Sequence, residues 1–232
     1  MDSGAPEQTA ATVDAVMAGR HCVRAFLPRE VPQQMLADML AIARRAPSGT
    51  NLQPWRVHVL TGAKRQALVD AVCAAYDADA PGHHAEYDYY PAEFFEPYLS
   101  RRRKIGWGLY GLLGIEKGDR VRMKAQMRRN YEFFGAPVGL IFSIDRRMGQ
   151  GGWLDYGMFL QNVMLAARAR GLDTCPQVSW LDYHRIIAGV LGFGPQEQLV
   201  CGMSLGWADA AAIENTLATE RAALGEFVVF HE

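Results

Sequence analysis

Residues Trp153 to Ala169 restrict the fold more than any other stretch of the chain. Leu154, Tyr156, Met158, Phe159, Leu160, Val163, Met164 and Leu165 leave little polar face on a helical wheel, and Gly171 supplies a C-terminal stop. A helix of that kind is expected to be buried nearly all round, so the chain must supply a large core around it. Its 232 residues, 50% of them hydrophobic, suffice for one large domain or two small ones. The same apolar fraction excludes a disordered chain.

Charge excludes further classes. Lys and Arg total 24 against 25 Asp and Glu, a formal net charge of -1, so the basic field that nucleic acid or an anionic membrane needs is absent. Apolar runs such as Ala136 to Phe142 fall far short of the roughly 18 residues of a membrane span. The first twenty residues carry Asp2, Glu7 and Asp14 and no apolar run, so no secretory signal is expected. Cys22, Cys73, Cys175 and Cys201 form no C-x-x-C pair, which fits neither a disulfide framework nor a zinc ribbon. A cytoplasmic globular protein with no nucleic-acid or membrane partner is the expectation.

Periodicity predicts helices over Thr9–Gly19, Gln33–Arg45, Ala63–Tyr76, Arg120–Phe134 and Tyr183–Leu191. Strands are predicted over Trp55–Leu60, Val138–Ile144 and Gln198–Leu205, which makes an α+β or α/β arrangement. Between them, residues 77–118 carry Tyr87, Tyr89, Tyr90, Phe94, Phe95 and Tyr98, then Arg101-Arg102-Arg103-Lys104. So long an aromatic and basic excursion reads as an inserted lid or binding loop. From about Asn215 the chain becomes an arm that ends in Phe227-Val228-Val229-Phe230.

Three motifs fail on their context. Gly202-Met203-Ser204-Leu205-Gly206 matches the hydrolase G-x-S-x-G, but the tail behind it carries Asp209 and His231 with no room for another strand–helix unit. Close strand packing explains those glycines better. His83, His84 and Glu86 lack the spacing of a zinc motif and read as an exposed polar loop. Gly192-Phe193-Gly194 follows a helix, and Glu197 stands where a dinucleotide fingerprint needs its third glycine.

Two segments carry more chemistry. Arg20-His21-Cys22-Val23-Arg24-Ala25-Phe26 sets two arginines where they can clamp a phosphate or simply close a helix. Ala46-Pro47-Ser48-Gly49-Thr50-Asn51-Leu52-Gln53-Pro54-Trp55 offers the donors and acceptors that the edge of a polar heteroaromatic ligand needs, unless it is a decorated turn. In this order, the two resemble the FMN-dependent nitroreductase family, with its Arg-x-Ser-x-Arg-x-Phe element and Pro-Ser-x-x-Asn-x-Gln-Pro-Trp loop. The resemblance continues through Asn130–Pro137, the helix from Asp155 to Gly171, Gly171–Pro176, the Gly202–Gly206 strand and Thr219-Glu220-Arg221.

That resemblance implies a single FMN-binding domain over residues 1–232, with the lid inserted at 77–118. It implies a three-layer α+β fold, a mixed sheet flanked by helices, in an intertwined homodimer with an extended C-terminal arm. Two FMN sites lie at the subunit interface of such dimers. Arg20, His21, Cys22 and Arg24 match the positions that hold the FMN phosphate and ring edge, and Arg221 matches a further phosphate contact from the arm. Ser48, Gly49, Asn51 and Asp155 match positions that reach across the dimer. Pro176, Val178 and Ser179 match those beside the isoalloxazine ring, and Asn130 matches another cofactor position. The implied reaction is two-electron ping-pong reduction of nitroaromatic or quinone-like acceptors by NADH or NADPH, with no side-chain acid, base or nucleophile and no metal. Reductive dehalogenation on the same fold, or flavin binding with little turnover, are the alternatives. Two departures stand out: Cys22 replaces the family serine, and Ala218 stands where many relatives carry arginine.

Overall fold

The computed structural model describes residues 4–232, so the first three residues of the expected 1–232 unit lie outside the described residues. Among the described residues seven α-helices are formed: α1 (Gly4–Gly19), α2 (Gln33–Ala43), α3 (Gly62–Asp77), α4 (Tyr98–Leu112), α5 (Arg120–Arg128), α6 (Gln150–Arg168) and α7 (His184–Leu191). Four strands, β1 (Arg56–Leu60), β2 (Val138–Asp145), β3 (Asp173–Gln177) and β4 (Glu197–Gly206), form one sheet in the order β1-β2-β4-β3. All three strand pairs are antiparallel. Among the described residues, parallel pairing is confined to a single bridge between Cys22 and Thr174.

Side-chain alternation along the central strands builds a core on each face of this sheet. Val138, Leu140, Phe142 and Ile144 of β2 pack with Leu36 and Met39 of α2 and with Tyr156, Phe159 and Val163 of α6. On the opposite face, Ile141 and Leu199 meet Val23, Leu68 and Val72 of α3, Phe133, Trp180 and Ile187 of α7. Helices, sheet and helices are the three expected layers of an α+β fold.

The glycines of β4 serve packing. A Cβ on Gly202 would lie 2.3 Å from Trp180 Cδ1, and one on Gly206 would lie 2.6 Å from Pro137 Cδ. Ser204 between them is fully buried and donates to Gln177 Oε1 at 2.8 Å, so it is no hydrolase nucleophile. β3 was missed by periodicity because Asp173-Thr174-Cys175-Pro176-Gln177 lacks an alternating apolar pattern. Pro176 is tolerated there because β3 is an edge strand.

Other expectations need correction. α6 is covered on one face only: Asp155, Tyr156, Phe159 and Val163 are buried, whereas Leu154 is 70% exposed. The sheet and α2 cover its buried side, Met158, Leu160 and Met164 pack partly against the same core, and Leu154 lies on the stripe left open. Val13 and Met17 of α1 are likewise exposed. α5 stops at Arg128, and residues 129–135 form a tighter turn in which Phe133 and Phe134 take φ of 54° and 52°. Burial of both rings holds that left-handed backbone in place. Part of the presumed loop at 77–118 is the regular helix α4.

Gly202→Ala should cost about 1–3 kcal/mol, because neither a central strand nor a fully buried indole can retreat from the added methyl. A lower guanidinium midpoint at unchanged m checks this, and an unchanged midpoint refutes the packing argument.

Candidate functional site

Residues 20–27, after α1, are strapped along the open edge of the sheet. Val23 N donates to Thr174 O at 3.1 Å, and Leu27 N donates to Trp207 O at 2.9 Å. Asn215 fixes the middle of the strap: its Oδ1 accepts from Arg24 N at 2.7 Å and Ala25 N at 3.2 Å, and its Nδ2 donates to Ala25 O at 2.8 Å. Arg129 donates to Arg24 O at 3.0 Å and pairs with Glu214. Arg20, His21, Cys22 and Arg24 are held half-buried by this arrangement.

The end of β3 completes the same surface. Pro176 is exposed, and Val178 and Ser179 follow it half-buried. Gln177 Nε2 donates to Asn130 O at 2.6 Å, which brings Asn130 to this edge. Ser179 Oγ is buried and has no hydrogen-bond partner among the described residues. The Cys22 thiol is lowered to about 6, first by the hydrogen bond it shares with Cys175, then by the cations Arg24 and Arg20, against the opposing effect of burial. Cys175 is pushed well above the usual thiol range by that same bond and by burial.

A second group forms around α6. The turn at Gly49–Asn51 carries left-handed backbone at Thr50, Asn51 and Gln53, with φ of 47°, 62° and 50°. Asp155, buried on α6, holds this turn by accepting from Gly49 N at 3.2 Å (Oδ1) and 3.1 Å (Oδ2). Ser48 Oγ accepts from Gln53 N at 3.0 Å, and Trp55 stacks on Phe159 at 4.7 Å. Gly49 and Asn51 remain exposed and Ser48 half-buried. Among the described residues no hydrogen bond or ion pair joins this group to the first. One chain therefore presents two separate polar groups.

Arg221 belongs to neither. Its guanidinium donates to Thr219 O at 3.1 Å, Thr219 Oγ1 at 2.7 Å and Glu220 O at 2.9 Å. The arm that carries it lies along α4 through Lys104–Glu220 at 2.6 Å and Arg101–Glu226 at 3.0 Å, and the two enclose a cavity of about 900 Å³. In the segment before α4, Tyr87 packs on Trp153 at 4.6 Å and donates to Val200 O at 2.5 Å, so it is core. Tyr89, Tyr90, Phe95 and Tyr98 are exposed, and Arg102 lies over the Phe94 ring at 4.5 Å. His84 sits beside Arg185, and Glu86 accepts from Arg146 at 3.4 Å.

Sequence reading missed Asn215, Arg129, Glu214 and Gln177. Asn215 and Arg24 stand 191 positions apart, and no local pattern announces such a pairing. The nitroreductase family model matches residues 17–207, which hold both groups. The chain belongs to the nitroreductase family. It is 44% identical over 211 residues to the 4-nitrobenzoate reductase of Pseudomonas putida, covering 90% of each chain. It is 40% identical over 225 residues to the nitrobenzene nitroreductase of Ectopseudomonas oleovorans, covering 97% of this chain and 99% of that one. The crystal structure of the FMN and NADPH-dependent nitroreductase NfnB from sphigopyxis sp. strain HMH superposes with a TM-score of 0.91 at 41% identity, covering 95% of this chain and 99% of that one.

Iodoacetamide should modify Cys22 ahead of the other thiols, because the thiolate is the nucleophile. Burial raises Cys73 to about 11 and Cys201 to about 12. The Cys22 rate should climb as pH rises through about 6 and level off by about 8. Peptide mapping from pH 5 to 9 checks this, and a rate still climbing above pH 8 contradicts it.

Proposed function

We propose that this nitroreductase carries FMN, takes electrons from NADH or NADPH, and reduces nitroaromatic or quinone-like acceptors in two-electron steps. The relatives that share nearly its whole length act on nitrobenzene and nitrobenzoate, and the NfnB relative is FMN- and NADPH-dependent. The observation that carries the residue assignment is the convergence of Arg20–Arg24, Asn130 and Pro176–Ser179 on one sheet edge.

The residues there fit FMN. Arg20 and Arg24 already act on the Cys22 thiol as a positive field, which is what a phosphate dianion requires. Ser179 Oγ is an orphaned buried group for which a polar ring edge is a partner. Arg20, His21, Cys22 and Arg24 hold the phosphate and ring edge, Pro176, Val178 and Ser179 line the ring, and Asn130 supports that surface. Ser48, Gly49, Asn51 and Asp155 complete the site of a second copy in a homodimer, and the arm brings Arg221 as a further phosphate partner. FMN when bound supplies hydride acceptance and electron delivery, and the protein orients it and stabilises negative charge. Asp155 maintains the strained turn, so that Gly49 and Asn51 are presented ready-made. The setting in this reading is the cytoplasm, and among the described residues no helix is long and apolar enough to cross a membrane.

Purified protein should be yellow and dimeric, with about one FMN per subunit, and should bleach rapidly with NADPH under anaerobic conditions. A colourless monomer that does not bind added FMN would refute the reading. A yellow protein that NADPH or NADH fails to bleach would leave flavin binding but remove the reductase.

Arg24→Ala and Arg221→Ala should each weaken FMN by about 10- to 150-fold, from charge-assisted bonds of roughly 1.5–3 kcal/mol. Cys22→Ser should hold FMN as well or better, since a hydroxyl is the stronger hydrogen-bonding group. Titration of apo-protein checks all three. Parent-like binding by Arg221→Ala would show that the arm does not reach the phosphate.

A further inference from the structure

The first polar group holds two thiols that flavin chemistry does not use. Cys22 bridges to Thr174 in parallel pairing, and Val23 N bonds Thr174 O at 3.1 Å, which sets Cys22 alongside the residue before Cys175. Cys175 belongs to the core on the α3 side of the sheet, and Cys22 packs against that same core. Both sulfurs are free thiols. Cys22 is half-buried and open to a small solute, whereas Cys175 is buried behind it. Cys73 is buried, and Cys201 lies in the core on the other face.

We infer that Cys22 and Cys175 form a redox modification site, which hydrogen peroxide converts to an intramolecular disulfide. The roles divide by environment. Arg20 and Arg24 favour the thiolate at Cys22, the form that attacks, while burial keeps Cys175 protonated as the resolving thiol. Attack by Cys22 on one peroxide oxygen breaks the O–O bond, leaving a sulfenic acid and, after proton uptake, one water. Cys175 then attacks that sulfur: the S–S bond forms, the S–O bond breaks, its thiol proton is given up and a second water leaves. Two thiols lose two electrons in total, and one peroxide becomes two waters. A disulfide needs Cβ atoms about 3.5–4.5 Å apart. The strap at 20–24 lies outside the named helices and strands, so closing to that distance disrupts none of them.

This inference does not rest on FMN binding, and its test has a separate readout. The full-length protein, as purified and after its flavin is stripped, is treated with graded hydrogen peroxide and then blocked with N-ethylmaleimide. The expected result is the loss of two of the four thiols, an intact mass lower by two hydrogens, and a cross-linked peptide joining Cys22 to Cys175. Dithiothreitol should restore both thiols. Cys175→Ser should stop at a sulfenic acid on Cys22, captured by dimedone, and Cys22→Ser should lose no thiol under the same dose. No cross-link in either form, a cross-link between chains, or a sulfinic acid on Cys22 of the parent would overturn the proposal.

Discussion

Val23 gives its amide proton to the Thr174 carbonyl, and the first polar group depends on that contact. The strap it anchors has no ladder of its own. Asn215 and Arg129 therefore occupy backbone groups of Arg24 and Ala25, and the Arg24 side chain turns back to donate to Cys22 O at 3.5 Å. The other side of the contact is equally built. Trp180 lies flat on Gly202, so the turn after β3 closes against β4 and aims Pro176, Val178 and Ser179 at one edge. A larger residue at Gly202 would push that turn away and the edge would lose its shape.

The second polar group depends on a buried carboxylate. Asp155 is placed by α6, whose other buried residues are uncharged, yet its partner is a backbone amide in a turn with three left-handed residues. Such backbone persists only where its surroundings over-determine it, and the Asp155 contact together with the Trp55–Phe159 stack does so here. Elsewhere α6 leaves Leu154 open, α1 leaves Val13 and Met17, and the arm leaves Phe227, Val229 and Phe230. Exposed apolar side chains on several elements are the surface a second subunit would cover in the proposed homodimer.

Much of this was legible beforehand. Helical and two-residue periodicities located α2, α3, α7, β1, β2 and β4 closely, because each puts apolar residues into one or both cores. The rejected hydrolase motif was also decided correctly from its neighbours, since a serine in a central strand with no room behind it is a packing residue. Periodicity failed at β3, an edge strand that owes its place to β4 and the strap. It failed at Phe133 and Phe134 too, where ring burial overrides helical preference.

The order of Arg20, Arg24, the Ser48–Trp55 loop and Arg221 marked this chain as a nitroreductase. Those are local properties, written in residue types and short spacings. Which residues share a surface was decided by tertiary structure alone. Asn215 meets Arg24, Asn130 meets Gln177 and Cys22 meets Cys175 because the antiparallel sheet returns distant segments to one edge. Whether α6 is wrapped was decided there as well: its apolar wheel demands cover, but the chain's own sheet and helices leave Leu154 open.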